Sequence, residues 1–230
     1  MQEIREAAGS AKVCERHDAV EAAAASSEDE GTADTASHGC EEDLTPRDGD
    51  PTLRLPLGAL YLHDLFPAAF LDELSELMAG LPPSRASRNM YADRHFVRDA
   101  DLAARLFAHL PREATAALGV RGCCSDLRFI RYPPGGFIAP HTDGVRVDEP
   151  TGAATSVSLL LYLEEIPDGE GGETTFLDKL PDACADGEEP AVLCSVCPRA
   201  GSILLFPHEL PHRGEAVGSH PKVLLRGDLY

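Results

Sequence analysis

Inside the segment GFIAPHTDG, His141 and Asp143 stand two residues apart. On an extended strand, residues i and i+2 point to the same side, so an imidazole nitrogen and a carboxylate oxygen there address one point in space. That pairing is the start of a metal site. A third ligand has to come from a strand distant in sequence and adjacent in the sheet, and the chain offers His208, His212 and His220. Two histidines and one carboxylate on one side of a divalent ion hold ferrous iron and leave positions open for a co-substrate and oxygen. By itself His-x-Asp is a weak signal, because the same spacing arises by chance on solvated loops.

Such a site needs strands to carry it. From Asp126 onward the apolar residues recur with a period of two, which predicts strands over 126–132, 136–143, 155–164, 173–177, 191–197, 202–207, 210–216 and 222–230. Turns rich in Pro, Gly and Asp separate them. Ahead of these, Phe66, Phe70, Leu71, Leu74, Leu77 and Met78 recur at three- and four-residue spacing, as in an amphipathic helix, which Gly80, Pro82 and Pro83 would stop. A second helical stripe, Leu102, Leu106, Phe107 and Leu110, runs into a break near Pro111, and the polar stretch between the two helices reads as a loop. The fold class expected is mainly β with flanking helices, with a double-stranded β-helix, or jelly roll, at its core.

Charge narrows the partners. The 230 residues hold 39 acidic and 20 basic side chains, a net charge of -19, which excludes a basic nucleic-acid binder. Residues 1–50 carry 14 of the acids, 4 of the bases and no Phe, Tyr or Trp. They cannot bury enough apolar surface to offset the entropy of ordering, so an acidic, disordered tail is expected over 1–50 and one globular domain over 51–230, its core in 120–230. No stretch approaches the roughly 20 apolar residues of a membrane span, and no signal peptide is evident at the start. The expectation is a soluble, cytoplasmic protein without a membrane span. Seven cysteines, including Cys194-x-x-Cys197, form neither a disulfide framework nor a zinc-ligand pattern and read as free thiols.

The blocks RYPPGGFIAPHTDG, SLLLYL, GGETTFLD, PRAGSILLFPHELPHRGEAV and KVLLRGDLY, in that order, resemble the iron(II)- and 2-oxoglutarate-dependent dioxygenases, in particular those built around the catalytic domain of prolyl 4-hydroxylase. The resemblance covers roughly residues 120–230. It implies Fe(II) bound by His141, Asp143 and His212, the last in a His-x-Gly setting after the strand Gly201 to Phe206. His208 and His220 match no ligand. It implies 2-oxoglutarate as co-substrate, with Tyr132 hydrogen-bonded to it and a base ten positions after the distal histidine on its far carboxylate. That base is Lys222. Arg226 faces the same side of the strand and is the alternative, unless it pairs with Asp228.

The resemblance further implies oxygen as co-substrate, ascorbate as an activator that keeps iron reduced, and hydroxylation of a C–H bond with release of succinate and CO2. Peptidyl proline is the substrate typical of the family, although a protein, peptide or small molecule is equally compatible with these residues. A jelly-roll metal protein of another reaction class and a non-catalytic interaction module are the alternatives, the second disfavoured by three intact ligand residues. Gly171-Gly172-Glu173-Thr174 reads as a structural turn. Arg85, Arg88 and Asn89 are candidates for the mouth of the site, and His63, His95 and His109 have no ligand-like companions.

Overall fold

The computed structural model of the protein describes residues 52–85, 89–185 and 187–230. The acidic segment 1–50 and Arg88 lie outside the described residues.

Two short strands, β1 (Thr52–Arg54) and β2 (Leu60–Leu62), come first, followed by helix α1 (Ala68–Ala79) and strands β3 (Ser84–Arg85) and β4 (Asp93–Arg98). Helices α2 (Ala100–Ala108) and α3 (Arg112–Leu118) precede the strand-rich part. That part comprises β5 (Asp126–Tyr132), β6 (Ile138–His141), β7 (Val157–Tyr162), β8 (Thr174–Leu177), β9 (Val192–Val196), β10 (Ile203–Pro207), β11 (His212–Gly214) and β12 (Lys222–Leu229). Eight strands form a major sheet in the order β1-β2-β10-β7-β12-β5-β4-β3, and four form a minor sheet, β6-β11-β8-β9. Every ladder is antiparallel, the arrangement expected of a jelly roll.

The central strands of the major sheet, β5, β7, β10 and β12, are buried on both faces, so they read as largely continuous apolar runs rather than alternating ones. Leu127 and Phe129 of β5, Leu159 and Leu161 of β7, and Val223 and Leu225 of β12 pack against Phe70, Leu74, Leu102 and Leu106 of the helices. The intervening residues, Ile130, Tyr132, Leu160, Tyr162 and Leu224, turn the other way and meet Phe176 and Val196 of the minor sheet. One face thus anchors the helices and the other faces the gap between sheets. Asp99 caps α2 by accepting from the Leu102 N–H at 2.9 Å, and Gly119, at φ +67°, closes α3.

The eight predicted strands are all present, β5 at its predicted bounds and the other seven shortened, and Pro111 does divide the second helical region. Four further strands precede them where none is expected. Leu60–Leu62 is a strand, paired with β10 and separated from α1, and the polar stretch before α2 supplies β4, paired along its whole length with β5. The charged residues of β4 conceal it: its side chains are only partly buried on either face, so no clean alternation marks the segment, and pairing with β5 decides its conformation. The cysteine reading holds at Cys123, Cys124, Cys184 and Cys194, which are free, and fails at Cys197, which is disulfide-bonded. Cys197 lies just past the end of β9 and is only partly buried, so its sulfur is open to another thiol, and with Cys194 free the Cys-x-x-Cys is not a dithiol pair. Among the described residues no helix is long and apolar enough to cross a membrane.

Candidate metal centre and co-substrate cleft

β6 ends on His141 and β11 begins on His212, and the antiparallel register sets the two residues directly opposite each other. Their rings lie 4.2 Å apart, centroid to centroid. Asp143 follows two residues after His141, its backbone N–H fixed on the His208 carbonyl at 2.8 Å. The Nε2 atoms of His141 and His212 stand 3.6 and 3.8 Å from the two Asp143 oxygens. One ligand atom from each of the three residues can be chosen so that all lie within 4.8 Å of one another.

The rings are oriented for a metal. His141 Nδ1 lies 2.9 Å from the Ala139 carbonyl, and His212 Nδ1 lies 2.8 Å from the Leu210 carbonyl. A carbonyl only accepts, so each Nδ1 carries the proton and each Nε2 presents its lone pair to the common point. Burial, and next the neighbouring His141, push His212 down to about 4, which keeps it neutral and available as a ligand. Burial works to raise the Asp143 carboxyl, but Arg226, His212 and the Ser158 hydroxyl outweigh it and hold the group below its ordinary value. Arg226 Nη1 donates to Oδ1 at 2.8 Å and Ser158 Oγ donates to Oδ2 at 2.5 Å. These residues fit a divalent ion: two neutral nitrogens and one carboxylate, each fixed by a partner behind it.

His208 is part of that backing. Its Nδ1 lies 2.9 Å from Ser158 Oγ and its Nε2 3.0 Å from Thr155 Oγ1, so it braces the hydroxyl that braces Asp143. Burial lowers its pKa, in keeping with a neutral ring that donates at one nitrogen and accepts at the other. His220 is exposed and lies against Glu170. His63, His95 and His109 have packing or backbone partners and lie in none of these groups.

From the three ligand residues a cleft of about 400 Å³ runs between the sheets. Tyr132, Thr174, Lys222 and Arg226 line it, along with Ile130, Leu160 and Leu224. Lys222 sits opposite Tyr132 in the β5–β12 ladder and is 3% exposed. Its ammonium donates to the Gly172 carbonyl at 2.6 Å and to Thr174 Oγ1 at 3.3 Å, and lies 5.6 and 5.5 Å from the ring centres of Tyr132 and Tyr162. Among the described residues no carboxylate comes within ion-pair reach of it. Burial pushes it down to about 7, with Glu173 and Glu215 pulling weakly the other way. A buried ammonium held by neutral groups is a receptor for an anion. Arg226, by contrast, is taken up by Asp143 and by Asp228, the latter at 3.1 Å.

The glycine pair is structural, as its sequence indicates. Gly171 and Gly172 have φ of +72° and +76°, and a Cβ on Gly171 would collide with the Ala216 carbonyl oxygen. The same turn also aims the Gly172 carbonyl at Lys222. Thr174, Tyr162 and Ser158 are the site residues that sequence reasoning misses, whereas the pairing of Arg226 with Asp228 is one of its stated alternatives. Each of the three sits in an apolar strand at a position whose side chain faces the cleft, and that phase is the signal by which they can be found. Asn89 is exposed and precedes Met90 of the cleft lining, and its carbonyl accepts the Ala139 N–H at 2.8 Å beside β6.

The family model described as the 2OG-Fe(II) oxygenase superfamily matches residues 127–227, which contain all three ligand residues and the residues of β5, β7 and β12 that line the cleft. That stretch of the chain, a little under half of its length, is similar to the 2OG-Fe(II) oxygenase superfamily. The solved structures agree on the fold. A Pseudomonas putida prolyl-4-hydroxylase superposes with a TM-score of 0.54 at 22% identity, covering 76% of this chain and 92% of that one. A Burkholderia pseudomallei oxidoreductase of the 2OG-Fe(II) oxygenase family gives 0.52 at 20% identity, covering 76% and 85%. The non-heme α-ketoglutarate-dependent epimerase SnoN of nogalamycin biosynthesis gives 0.53 at 18%, covering 75% and 76%. No curated protein sequence matches the chain. The match to this family model and the three converging ligand atoms support catalysis dependent on Fe(II) and 2-oxoglutarate.

Proposed function

We propose that the protein is a hydroxylase: it binds Fe(II) through His141, Asp143 and His212, consumes 2-oxoglutarate and oxygen, and places a hydroxyl on a C–H bond of its substrate. Succinate and CO2 are the co-products. The observation that carries this reading is the pairing of a three-residue ligand set with a buried, uncompensated ammonium in one narrow cleft. When bound, iron with its 2-oxoglutarate supplies the oxygen activation that an inert C–H bond requires.

The chain's own residues bind, orient and insulate. Lys222 takes the far carboxylate of 2-oxoglutarate, its charge exposed to the cleft between two aromatic rings. Tyr132, beside it, offers its hydroxyl to the same anion; burial first of all raises its pKa, so it acts as a donor and stays protonated. Thr174 and the Gly172 carbonyl hold the ammonium in place. Ile130, Leu160 and Leu224 keep the cleft dry, which strengthens each of these polar contacts. Peptidyl proline is the substrate type that the fold shared with prolyl hydroxylases favours. Ascorbate, as an agent that keeps iron reduced, belongs to the same proposal.

Anaerobic titration with Fe(II) and 2-oxoglutarate tests the reading, with a weak visible charge-transfer band expected from the ternary complex. Folded protein that gives no band sinks the proposal. With oxygen and substrate, product mass should rise by one oxygen per succinate released. Succinate release with an altered substrate and no gain in mass would replace hydroxylation by another outcome, such as the epimerisation named for SnoN.

A further inference from the structure

The sheet face that walls the cleft continues past it. β5 contributes Ile130 and Tyr132 to the cleft and, two positions further back on the same face, Arg128 and Asp126 to a second groove. Across the β4–β5 ladder, Phe96 lies opposite Arg128 and Arg98 opposite Asp126. Arg146, from the segment between β6 and β7, completes the groove, which measures about 540 Å³. Two positions along a strand span about 7 Å, so the groove and the cleft are neighbouring compartments on one face.

The charges there do not balance. β12 sets Arg226 directly opposite Arg128, a like-charge cross-strand pair of the kind that destabilises a sheet. Asp228, fully buried, holds the two together: it accepts from Arg128 at 3.2 Å and from Arg226 at 3.1 Å, and Arg146 approaches at 3.5 Å. The other carboxylate that Arg226 meets is Asp143. Three guanidinium groups thus converge on Asp228, and of the three only Arg226 has a second carboxylate, Asp143, which it shares with the metal site. Arg98 adds nothing to the excess, since Asp126 and Glu149 neutralise it.

Two observations show this cluster to be short of acceptors. Arg226 Nε is buried and has no hydrogen-bond partner. Burial, and then the charge of Arg226, hold Arg128 down at about 10, the sign of a cation short of anions. Arg146 is presented from a fixed backbone: its N–H donates to Thr155 Oγ1 at 2.9 Å, and its carbonyl accepts the Thr155 N–H at 2.8 Å. Its side chain is 37% exposed, and exposed Phe96, Val145 and Val147 belong to the same segments.

We propose that this groove selects an acidic peptide: a Glu or Asp side chain of the substrate seats between Arg128 and Arg146, beside Phe96, while a residue one or two positions away is oxidised in the cleft. The inference rests on the hydroxylase reading and narrows its substrate class. An extended peptide suits the geometry because the two compartments are one strand repeat apart. The chain as a whole carries a charge of -19 and repels an acidic peptide at long range, so recognition is a short-range property of this groove.

Two fluorescein-labelled peptide pools test it, Gly-Xaa-Pro-Glu-Gly and Gly-Xaa-Pro-Gln-Gly with Xaa randomised, titrated by anisotropy against the protein holding Fe(II) and 2-oxoglutarate without oxygen. The Glu pool should bind about tenfold more tightly, as expected for one charge-assisted hydrogen bond. The preference should shrink severalfold in 0.5 M NaCl and in Arg146→Gln. Arg146→Glu should transfer it to a Gly-Xaa-Pro-Lys-Gly pool, a rescue that a misfolded variant cannot give. Phe96→Ala should weaken both pools alike. Equal affinities for the Glu and Gln pools, binding of neither, or a preference untouched by Arg146→Gln would overturn the proposal. Absence of the iron and 2-oxoglutarate band would instead overturn the hydroxylase reading, because the peptide titration does not depend on that signal.

Discussion

Lys222 and Arg226 lie four residues apart on one face of β12, and their surroundings are opposite in kind. Around Arg226 the charges are many and close: Asp143 at 2.8 Å, Asp228 at 3.1 Å, and Arg128 directly across the ladder. Around Lys222 there are a carbonyl, a hydroxyl and two aromatic faces. Arg226 is thus held in place by two carboxylates, although the cluster behind it carries more guanidinium than carboxylate. The Lys222 end keeps a cation in waiting. A basic residue on a cleft wall positions other groups when its charge is matched and binds a ligand when it is not, and a single strand here shows both cases.

The largest expected effect separates metal binding from its backing. His212→Ala should remove the ternary charge-transfer band and succinate release together, whereas His208→Ala should keep the band and lower only the thermal midpoint, by the cost of leaving Ser158 and Thr155 short of a partner, about 1–3 kcal/mol. Loss of the band in both variants would erase the distinction between ligand and brace.

Next comes the far end. Lys222→Ala should weaken 2-oxoglutarate roughly 100-fold, the scale expected when a charge-assisted hydrogen bond is removed from a dry site, while iron binding in the absence of 2-oxoglutarate is retained. Lys222→Met should in addition raise the thermal midpoint of the ligand-free protein, since an apolar side chain replaces an unpaired buried charge. A Lys222→Met variant less stable than the wild type would show that the ammonium is better satisfied than its neighbours indicate. At the other end of the pair, Arg226→Gln should cost about tenfold in iron affinity, as removal of a partner behind a metal ligand does, with a smaller effect on 2-oxoglutarate. The reverse order of effects would exchange the roles of the two cations.

The smallest effect is one of pH. Lys222 sits near pH 7 in the folded, ligand-free protein and near 10.4 in the unfolded chain. Between these values the unfolded state binds more protons, so this group makes stability rise with pH from about 7 to 10, and below 7 its cost is constant. Binding of the 2-oxoglutarate dianion favours the charged ammonium. Above pH 7 binding should therefore take up a proton, and affinity should fall as pH rises. Calorimetry at pH 8 in buffers of different ionisation enthalpy reads this directly. Identical heats in phosphate and Tris would place Lys222 as already charged.

The sequence displays the ligands and the strands well because both obey local rules. His141-x-Asp143 is a strand-period signal, and β5 falls at 126–132 just as its pattern predicts. Lys222 is singled out by the family resemblance, which expects a base ten positions after His212. What is hidden depends on the register between strands. That Arg226 faces Arg128 follows from the β5–β12 ladder, and that Ser158 meets Asp143 follows from the meeting of two sheets. Neither is encoded in a window of ten residues. β4 escapes for a related reason: its charged residues mimic a solvated loop until β5 is placed beside it.

The facing of His141 and His212 across the β6–β11 ladder has a mechanical side. β6 is the last strand of the minor sheet, laddered to β11 on one side and bridged on the other only at Met90–Ile138, and its pairing with β11 shifts register between His212 and Gly214. A metal held by both histidines is a rivet through that seam. It binds the folded edge and not the frayed one, so its occupancy and the closure of β6 are one equilibrium seen from two sides. The wall of the cleft nearest the chemistry is therefore as firm as the grip on its ion.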